Sequence, residues 1–273
     1  MNQLNLDKGN NVSSQRNSIQ SLARGLGIME LFAKSSQPLT LTEIASQARL
    51  TKTTVQRFLN TLHVLGYIKR GDNKRYLLST GVLSLAYGFL NTSSLIKMAK
   101  PYLDELSSEL GKTVNLAVLD DVHTICLYRK EVRRFMKFDI GPGTKLPCHA
   151  GSLGKVLLSG LNDKELNECI NKIEYTPLTP KTILSKKKLR EEVLETRKKG
   201  YAISDQELSW DMYSIAVPLF DNKSEMIAAI NVSMEFHLRD DSNLETTIHI
   251  LMEKGELICR NLGYDGPYPL HSR

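Results

Sequence analysis

The amino-acid sequence predicts an α+β protein whose N-terminal part is a winged helix-turn-helix module. Two observations indicate this. Residues 1–97 contain 12 Lys and Arg against 4 Asp and Glu, whereas the remaining residues contain 24 against 26. Short amphipathic helices fill the basic part, and helices mixed with alternating strands fill the rest. A basic module on a near-neutral body is typical of a protein that binds a polyanion with one module, although small charge asymmetries are common.

The composition narrows the class of protein. A chain of 273 residues with 41% hydrophobic residues predicts one or two globular domains. No apolar run reaches the length of a membrane span, and the polar residues 1–18 predict a disordered tail rather than a signal peptide. The four cysteines form no CxxC pair. We therefore expect a reducing, cytoplasmic location, with no metal site, no disulfide framework and no cofactor.

The first two predicted helices precede residue 50. Apolar residues at helical spacing from Ile19 to Phe32 predict the first, and the sequence SSQP at residues 35–38 ends it. Thr40 and Glu43 form a capping box that begins a short second helix.

A third helix is predicted from Thr51 to Leu65, with one apolar face. Its opposite face carries cationic and amide side chains and no carboxylate. Lys and Arg bind phosphates, while Gln, Asn and Arg match base edges in the major groove. Alone, such a face is equally typical of a solvated helix. The short helix and tight turn before it favour the recognition helix of a helix-turn-helix.

Residues 67–78 predict a strand, a turn and a second strand, which together form a basic hairpin. A helix-turn-helix followed by a hairpin is a winged helix, and we assign it to residues 19–80. The hairpin can reach the backbone or the minor groove beside the recognition helix. The predicted DNA-binding residues are Thr51, Lys52, Thr53, Gln56, Arg57 and Asn60 on the helix, and Lys69, Arg70, Lys74 and Arg75 on the hairpin.

Three segments resemble the N-terminal module of the IclR family of bacterial transcription regulators: SIQSLARGLGIMELF, LTLTEIASQARLTKTTVQRFLNTLHVLGYI and YLLSTGVLSLAYGFL. The resemblance extends over nearly the whole chain after residue 18. The family often has glycine in the turn between the second and third helices, where this chain has Arg49. Arginine tolerates a left-handed turn poorly, so either the turn differs or strain is accepted for an extra phosphate contact.

The resemblance implies the remaining organisation. Residues 81–97 would form a linker helix that takes part in dimer contacts, residues 98–265 a GAF-like effector-binding domain, and residues 266–273 a C-terminal tail. The amphipathic pattern from Pro101 to Leu110 predicts the first helix of the second domain. The implied partners are double-stranded operator DNA, a small organic acid, and further copies of the chain in a dimer or a dimer of dimers, with no membrane. Segments such as LTPKTI and SDQELSWDMYSIAVPL are closest to the subgroup that governs aromatic acid breakdown, which favours an aromatic carboxylate.

Polar residues on two neighbouring strands indicate where such a ligand would bind. Ser214, Asn231 and Ser233 alternate with large apolar residues on predicted buried strands. Each unsatisfied buried polar group costs about 1–3 kcal/mol, so these side chains either pair with backbone or water or line a polar cavity.

The resemblance implies a cavity at the helix that follows the sequence LPCHA. The lining residues carried over by motif are Ser152, Leu153, Ser204 or Asp205, Met212, Ser214, Asn231 and Ser233. Backbone N–H groups at the helix start near Ser152 suit a carboxylate. Three arginines of the same domain could supply a cation, although we expect them to be surface residues: Arg129, Arg133 and Arg134.

The sequence does not favour an enzyme. GSLGK is not a phosphate-binding loop, because His149 replaces the required first glycine and Val156 replaces the required Ser or Thr. No GxSxG or HExxH motif occurs, and the adjacent Cys148 and His149 would seldom orient toward each other. The remaining alternative is a structural DNA-binding protein that binds no effector. Such a protein would not need the long second domain with its polar-lined hairpin, so the sequence favours a protein that binds an effector.

Overall fold

The computed structural model describes residues 18–132, 140–239 and 241–269, and the chain forms two compact units. The first unit ends at Thr92 and the second begins at Ser93. Both contain helices and antiparallel strands, which confirms the α+β class. Within the described ranges, no helix is long and apolar enough to cross a membrane.

The first unit is a three-helix module with a small sheet and a fourth helix. Its elements are α1 (Gln20–Lys34), β1 (Leu39–Thr40), α2 (Leu41–Ala48), α3 (Lys52–Val64), β2 (Ile68–Arg70), β3 (Arg75–Leu78) and α4 (Gly81–Thr92). The strands are antiparallel in the order β1-β3-β2, so β2 and β3 form the predicted wing. The three helices and the sheet enclose one core, built around Ile28, Ile44, Val55 and Leu59.

Local capping fixes the two helices of the helix-turn-helix. The predicted capping box is confirmed: the Glu43 N–H donates to Thr40 Oγ1, and the Thr40 N–H donates to Glu43 Oε2 at 2.7 Å. Thr51 caps α3 by accepting a hydrogen bond from the Thr54 N–H. Between the two helices, Arg49 adopts the left-handed conformation, with φ 54° and ψ 40°. The turn therefore keeps the geometry that favours glycine, and Arg49 accepts the strain.

The second unit is a six-stranded antiparallel sheet with helices on both faces. Its elements are α5 (Ser94–Leu110), β4 (Thr113–Asp120), β5 (His123–Lys130), β6 (Lys145–Pro147), α6 (Ser152–Ser159), α7 (Asp163–Lys172), α8 (Lys186–Lys199), β7 (Ala202–Asp205), β8 (Met212–Phe220), β9 (Met226–Glu235) and α9 (Leu244–Asn261). The strand order is β6-β5-β4-β9-β8-β7.

The two faces of this sheet carry different side chains because alternate strand residues point in opposite directions. One face carries large apolar side chains and packs on α5 and α9, with Val217 near Gly255 of α9. The other face packs on α6 through small residues, including Ala117, Ala216 and Ala229. The predicted hairpin of β8 and β9 is present, and it places Ser214 opposite Ser233. The polar residues of both strands consequently share the α6 face.

The helix boundary near residue 97 differs from the sequence prediction. The predicted linker helix continued to that residue, and a new helix was expected to begin at Pro101. Instead α4 ends at Thr92 and α5 begins at Ser94. The Ile96 N–H donates to Ser93 Oγ, which caps α5. The helix then runs through Pro101 because its buried side chains continue on both sides of that residue.

The predicted C-terminal tail from residue 266 is packed on the sheet as far as it is described. The Tyr268 hydroxyl donates to the Pro218 carbonyl oxygen at 2.9 Å, and its ring meets Phe220 edge-on at 6.3 Å. The described residues of this segment therefore belong to the second unit.

Candidate functional site

The recognition face predicted on α3 is exposed and carries one internal amide pair. Lys52, Thr53, Arg57 and Asn60 are exposed, and Gln56 is half-buried. Gln56 Nε2 donates to Asn60 Oδ1 at 2.8 Å, so two amides one helical turn apart are held in one orientation. The Thr51 hydroxyl is used as the cap of α3. Lys52 and Arg57 are therefore exposed beside an ordered pair of amides.

The wing presents three exposed cations: Lys69, Arg70 and Lys74. The fourth predicted residue, Arg75, is partly exposed and is bound to other residues of the module. Its Nη1 donates to the Pro38 carbonyl oxygen at 2.7 Å and lies 3.4 Å from Glu43 Oε2. Arg75 thus ties the wing to the capping box of α2, and this internal role competes with any contact to DNA.

A small cavity lies in the second unit between the start of α6 and the sheet. Most of the predicted effector residues line it: Ser152, Leu153, Met212, Ser214, Asn231 and Ser233. The hydroxyls of Ser152 and Ser214 are 2.8 Å apart and bridge the helix to the sheet. The volume of this cavity is about 30 Å³. The cavity therefore has room for one or two water molecules. An aromatic ring needs a cavity of several times this volume.

Two predicted lining residues lie outside this cavity. Ser204 is opposite Ser214 one strand further along the sheet, and its buried hydroxyl has no partner among the described residues. Asp205 Oδ2 lies 3.0 Å from Lys181 Nζ. Burial opposes ionisation of Asp205, but hydrogen bonds from Gln206 and Lys181 hold its pKa below the usual value. Asp205 is thus occupied by a surface ion pair.

The N-terminus of α6 points its first N–H groups at the cavity. Gly151 precedes the helix in an extended conformation and provides no side-chain cap. The first N–H groups of any helix lack intrahelical acceptors, so Ser152 and Leu153 expose donors here. Gly154 allows the helix to lie against the turn before it, because a Cβ at that position would collide with the Cys148 carbonyl oxygen.

A buried lysine holds the same helix in place. Lys155 Nζ donates to Glu207 Oε1 at 2.7 Å, to the Ile203 carbonyl oxygen at 2.9 Å and to Glu192 Oε2 at 3.3 Å. Burial raises the pKa of Glu207, against the effect of the nearby Lys155 charge. The lysine of GSLGK is therefore structural and links α6 to the segment between β7 and β8.

The sequence prediction placed Arg129 at the surface, and this was wrong. Its side chain is only 6% exposed and lines the cavity. Arg129 Nη1 donates to Asn115 Oδ1 at 2.9 Å, and Nη2 donates to Glu131 Oε1 at 2.7 Å. Asn115, which was not predicted either, also lines the cavity. The other two candidates, Arg133 and Arg134, lie outside the described residues.

The site has little capacity for nucleophilic or metal chemistry. Burial raises the pKa of the cavity thiol Cys126 to about 11, so the thiol stays protonated. The centroids of the His149 and Tyr175 rings are 5.2 Å apart, and His149 Nε2 lies 3.4 Å from the Thr176 carbonyl oxygen. Among the described residues, no group of His, Cys, Asp and Glu could hold a metal ion. The cavity can bind a polar molecule but offers no reactive group of these kinds.

Comparisons with known proteins agree over almost the whole chain. The family profile described as Bacterial transcriptional regulator IclR C-terminal matches residues 88–260, and the IclR helix-turn-helix domain profile matches residues 21–72. The Pca regulon regulatory protein of Pseudomonas putida is 32% identical over 244 residues, which span 89% of this chain and 84% of that protein.

Solved structures show the same architecture. A transcriptional regulator from Rhodococcus sp. RHA1 is similar with a TM-score of 0.77 and 34% identity, over 90% of this chain and 98% of its own. An IclR homolog complexed with 4-hydroxybenzoate, from Microbacterium hydrocarbonoxydans, has a TM-score of 0.75 and 24% identity, over 89% of this chain and 98% of its own. At that identity the second likeness shows the fold alone.

Proposed function

This chain belongs to the IclR family of bacterial transcriptional regulators, and from that premise we propose that a small organic acid, bound in the cavity beside α6, controls its binding to operator DNA. The chain is a DNA-binding regulator and not an enzyme. Its place of action is the cytoplasm, where operator DNA is found.

The observation that carries the proposal is the lining of the cavity. Hydrogen-bonding groups converge on it from α6 and from four neighbouring strands: Ser152, Ser214, Asn231, Ser233, Asn115 and Arg129. Apolar side chains complete the wall: Leu153, Met212, Ile140 and Leu146. A few convergent polar groups in an otherwise apolar concavity are typical of a small-molecule site.

Aromatic carboxylates are the class of ligand that we propose. The apolar wall suits a ring, and the helix N-terminus and Arg129 suit a negative charge. A structure of the same fold, the IclR homolog complexed with 4-hydroxybenzoate, gives an example of such an acid bound to a protein of this family. Because the cavity measures only about 30 Å³, lining side chains must move to admit a ring.

We further propose that two copies of the first unit read a pseudo-palindromic operator. The exposed residues of α3 would enter the major groove, and Lys69, Arg70 and Lys74 would contact the backbone or minor groove beside it. The acid would act by binding one arrangement of the dimer more tightly than another, which changes operator affinity by linkage.

The test begins by selecting operator DNA from a random library with the full-length protein. Fluorescence anisotropy then measures the affinity for the selected site with and without 4-hydroxybenzoate and protocatechuate. We expect either acid to change the affinity roughly 5- to 150-fold, the usual range of allosteric coupling. Arg57→Ala should weaken discrimination at one base pair by about 1–3 kcal/mol.

Arg190→Ala is the matched control, because it removes an arginine from α8 of the second unit, whose Nη1 donates to Asn167. It should leave both operator affinity and base discrimination unchanged. If Arg57→Ala discriminates between base pairs as well as the wild type does, the assignment of the exposed face of α3 to base recognition is wrong. Operator affinity that responds to neither acid would refute the effector assignment while leaving DNA binding intact.

A further inference from the structure

A chain of hydrogen bonds crosses three strands at the floor of the cavity. The strand register places Asn115 opposite Arg129 on one side and opposite Asn231 on the other. Arg129 Nη1 donates to Asn115 Oδ1 at 2.9 Å, and Asn115 Nδ2 donates to Asn231 Oδ1 at 2.8 Å. All three residues line the cavity.

The arginine determines the orientation of both amides. A guanidinium group has donors and no acceptor, so Asn115 must turn its oxygen toward Arg129. The Asn115 NH₂ group then faces Asn231, so Asn231 must accept this hydrogen bond through its side-chain oxygen. The Asn231 NH₂ group takes no part in this chain of hydrogen bonds and remains available to a ligand in the cavity. The charge of Arg129 thereby fixes a pair of donors on Asn231, in the wall of the cavity.

Arg129 itself retains an unused donor. Its Nε–H is buried and has no acceptor in the described part of the chain. The side chain is 6% exposed, so water reaches this group poorly. A buried donor without a partner destabilises the protein, and a ligand oxygen at this position would relieve that cost.

We propose that Arg129 and Asn231 bind the carboxylate of the effector, which makes the cavity selective for an anion over the neutral compound of the same shape. The Arg129 Nε–H and the Asn231 NH₂ group would donate to the ligand oxygens, with the α6 N-terminus adding its partial positive charge. The inference rests on the proposed function, because it assigns the groups that select the acid at the same site.

The charge balance favours a singly charged ligand. Glu131 lies 2.7 Å from Arg129 Nη2 and already compensates part of its charge. The Ser152 and Ser214 hydroxyls can each donate or accept, so they do not discriminate between charged and neutral groups. Selection for a monocarboxylate would therefore depend on Arg129 and Asn231.

The experiment compares two acids with their amides: 4-hydroxybenzoate with 4-hydroxybenzamide, and benzoate with benzamide. Isothermal titration calorimetry and thermal shift are carried out on the full-length chain. The wild type should bind each acid at least tenfold more tightly than its amide. Arg129→Met should weaken acid binding roughly 10- to 100-fold, the range expected for loss of hydrogen bonds to a charged group. Amide binding should change less than about threefold, which shows that the variant is folded.

Asn231→Asp provides a second variant of nearly the same shape. It replaces the free NH₂ group with an acceptor, so it should also remove the preference for the acid. Glu131→Gln is the control: it keeps Arg129 and Asn231 and removes only a compensating negative charge. It should keep or increase the preference for the acid, and loss of the preference in this variant would contradict the assignment.

The outcomes separate the two proposals. If the wild type binds the acids but both Arg129→Met and Asn231→Asp keep the wild-type preference, the assignment of these residues is wrong and the proposed function stands. Equal binding of acid and amide by the wild type would also overturn the inference. If the wild type binds none of the four compounds and neither acid tested above changes operator affinity, the proposed function fails together with the inference.

Discussion

Arg49 carries backbone strain in the turn between α2 and α3. Its φ of 54° lies in the left-handed region, and its exposed side chain has no hydrogen bond or ion pair among the described residues. Non-glycine residues in strained backbone conformations cost on the order of 1–3 kcal/mol each, and such residues cluster at functional sites. A cation at the turn of a DNA-binding module suggests a phosphate contact as that use.

Arg49→Gly is expected to separate these two effects. Glycine adopts the turn without strain, so the variant should be more stable to unfolding by about 1 kcal/mol. It should also lose one phosphate contact, which lowers operator affinity and reduces the slope of log K against log salt by about one. Urea unfolding and anisotropy at several salt concentrations measure both quantities.

Arg24→Ala is the control for loss of charge, since Arg24 is exposed on α1 of the same unit. Its salt dependence should match the wild type. A more stable Arg49→Gly variant with an unchanged salt slope would show that the turn is strained for a reason other than phosphate binding.

The residues of the cavity differ in how far they could be predicted. Ser214, Asn231 and Ser233 were found from alternation, because a strand buried on both faces rarely carries small polar groups. Arg129 was named as a possible cation but was wrongly expected at the surface, because arginine is mostly exposed in proteins. Its burial depends on Asn115, which lies on the neighbouring strand and meets it only through the sheet register. No local pattern contains that information.

Among the elements, α4 has an apolar face that the first unit does not cover. None of its residues is buried, and four large side chains are exposed: Leu83 (67%), Leu85 (62%), Tyr87 (68%) and Phe89 (58%). Exposed apolar patches of this kind mark interaction surfaces. The sequence prediction assigned dimer contacts to this helix, and we propose that a second copy of the chain covers the face.

Leu85→Glu should therefore weaken the dimer. A two-fold interface contains each residue twice, and burying one leucine is worth about 1.5–3 kcal/mol, so the dimer dissociation constant should rise by at least about 100-fold. Sedimentation velocity across a dilution series measures this change. Leu184→Glu is the control, because Leu184 is 49% exposed in the second unit. A Leu85→Glu variant that keeps the wild-type mass at every concentration would exclude α4 from the interface.

Helix starts were predictable wherever the sequence carries a local cap. The Thr40–Glu43 box predicted α2 correctly. A second capping box, formed by Asn162 and Glu165, begins α7, and there the Glu165 N–H donates to Asn162 Oδ1. The sequence analysis did not use this motif and therefore did not predict α7. Pro101 misled the prediction because proline favours a first turn, whereas buried residues on both sides of it extend α5.

At the scale of the whole molecule, the two units have separate hydrophobic cores. The core of the first contains only residues between Ile28 and Leu78. The described clusters of the second lie between Ala117 and Ala229. The basic composition of residues 1–97 already indicated this division. Separate cores predict separate unfolding.

Differential scanning calorimetry should accordingly show two transitions. Operator DNA should raise the thermal unfolding midpoint of the first unit and leave the midpoint of the second unit unchanged. 4-Hydroxybenzoate at 100 times its dissociation constant should stabilise the second unit by about 2.7 kcal/mol, which raises its midpoint by roughly 5–10 °C. A single transition that both ligands raise equally would contradict this expectation.

The size of the cavity also has a consequence for time. A ring cannot occupy a space of about 30 Å³ until lining side chains separate, so the opening motion precedes binding. The observed association rate should then rise with ligand concentration and level off at the rate of opening. The same motion must recur before the ligand leaves. A regulator built in this way keeps its response for a while after the acid has been consumed, and brief fluctuations in the supply of the acid are averaged out.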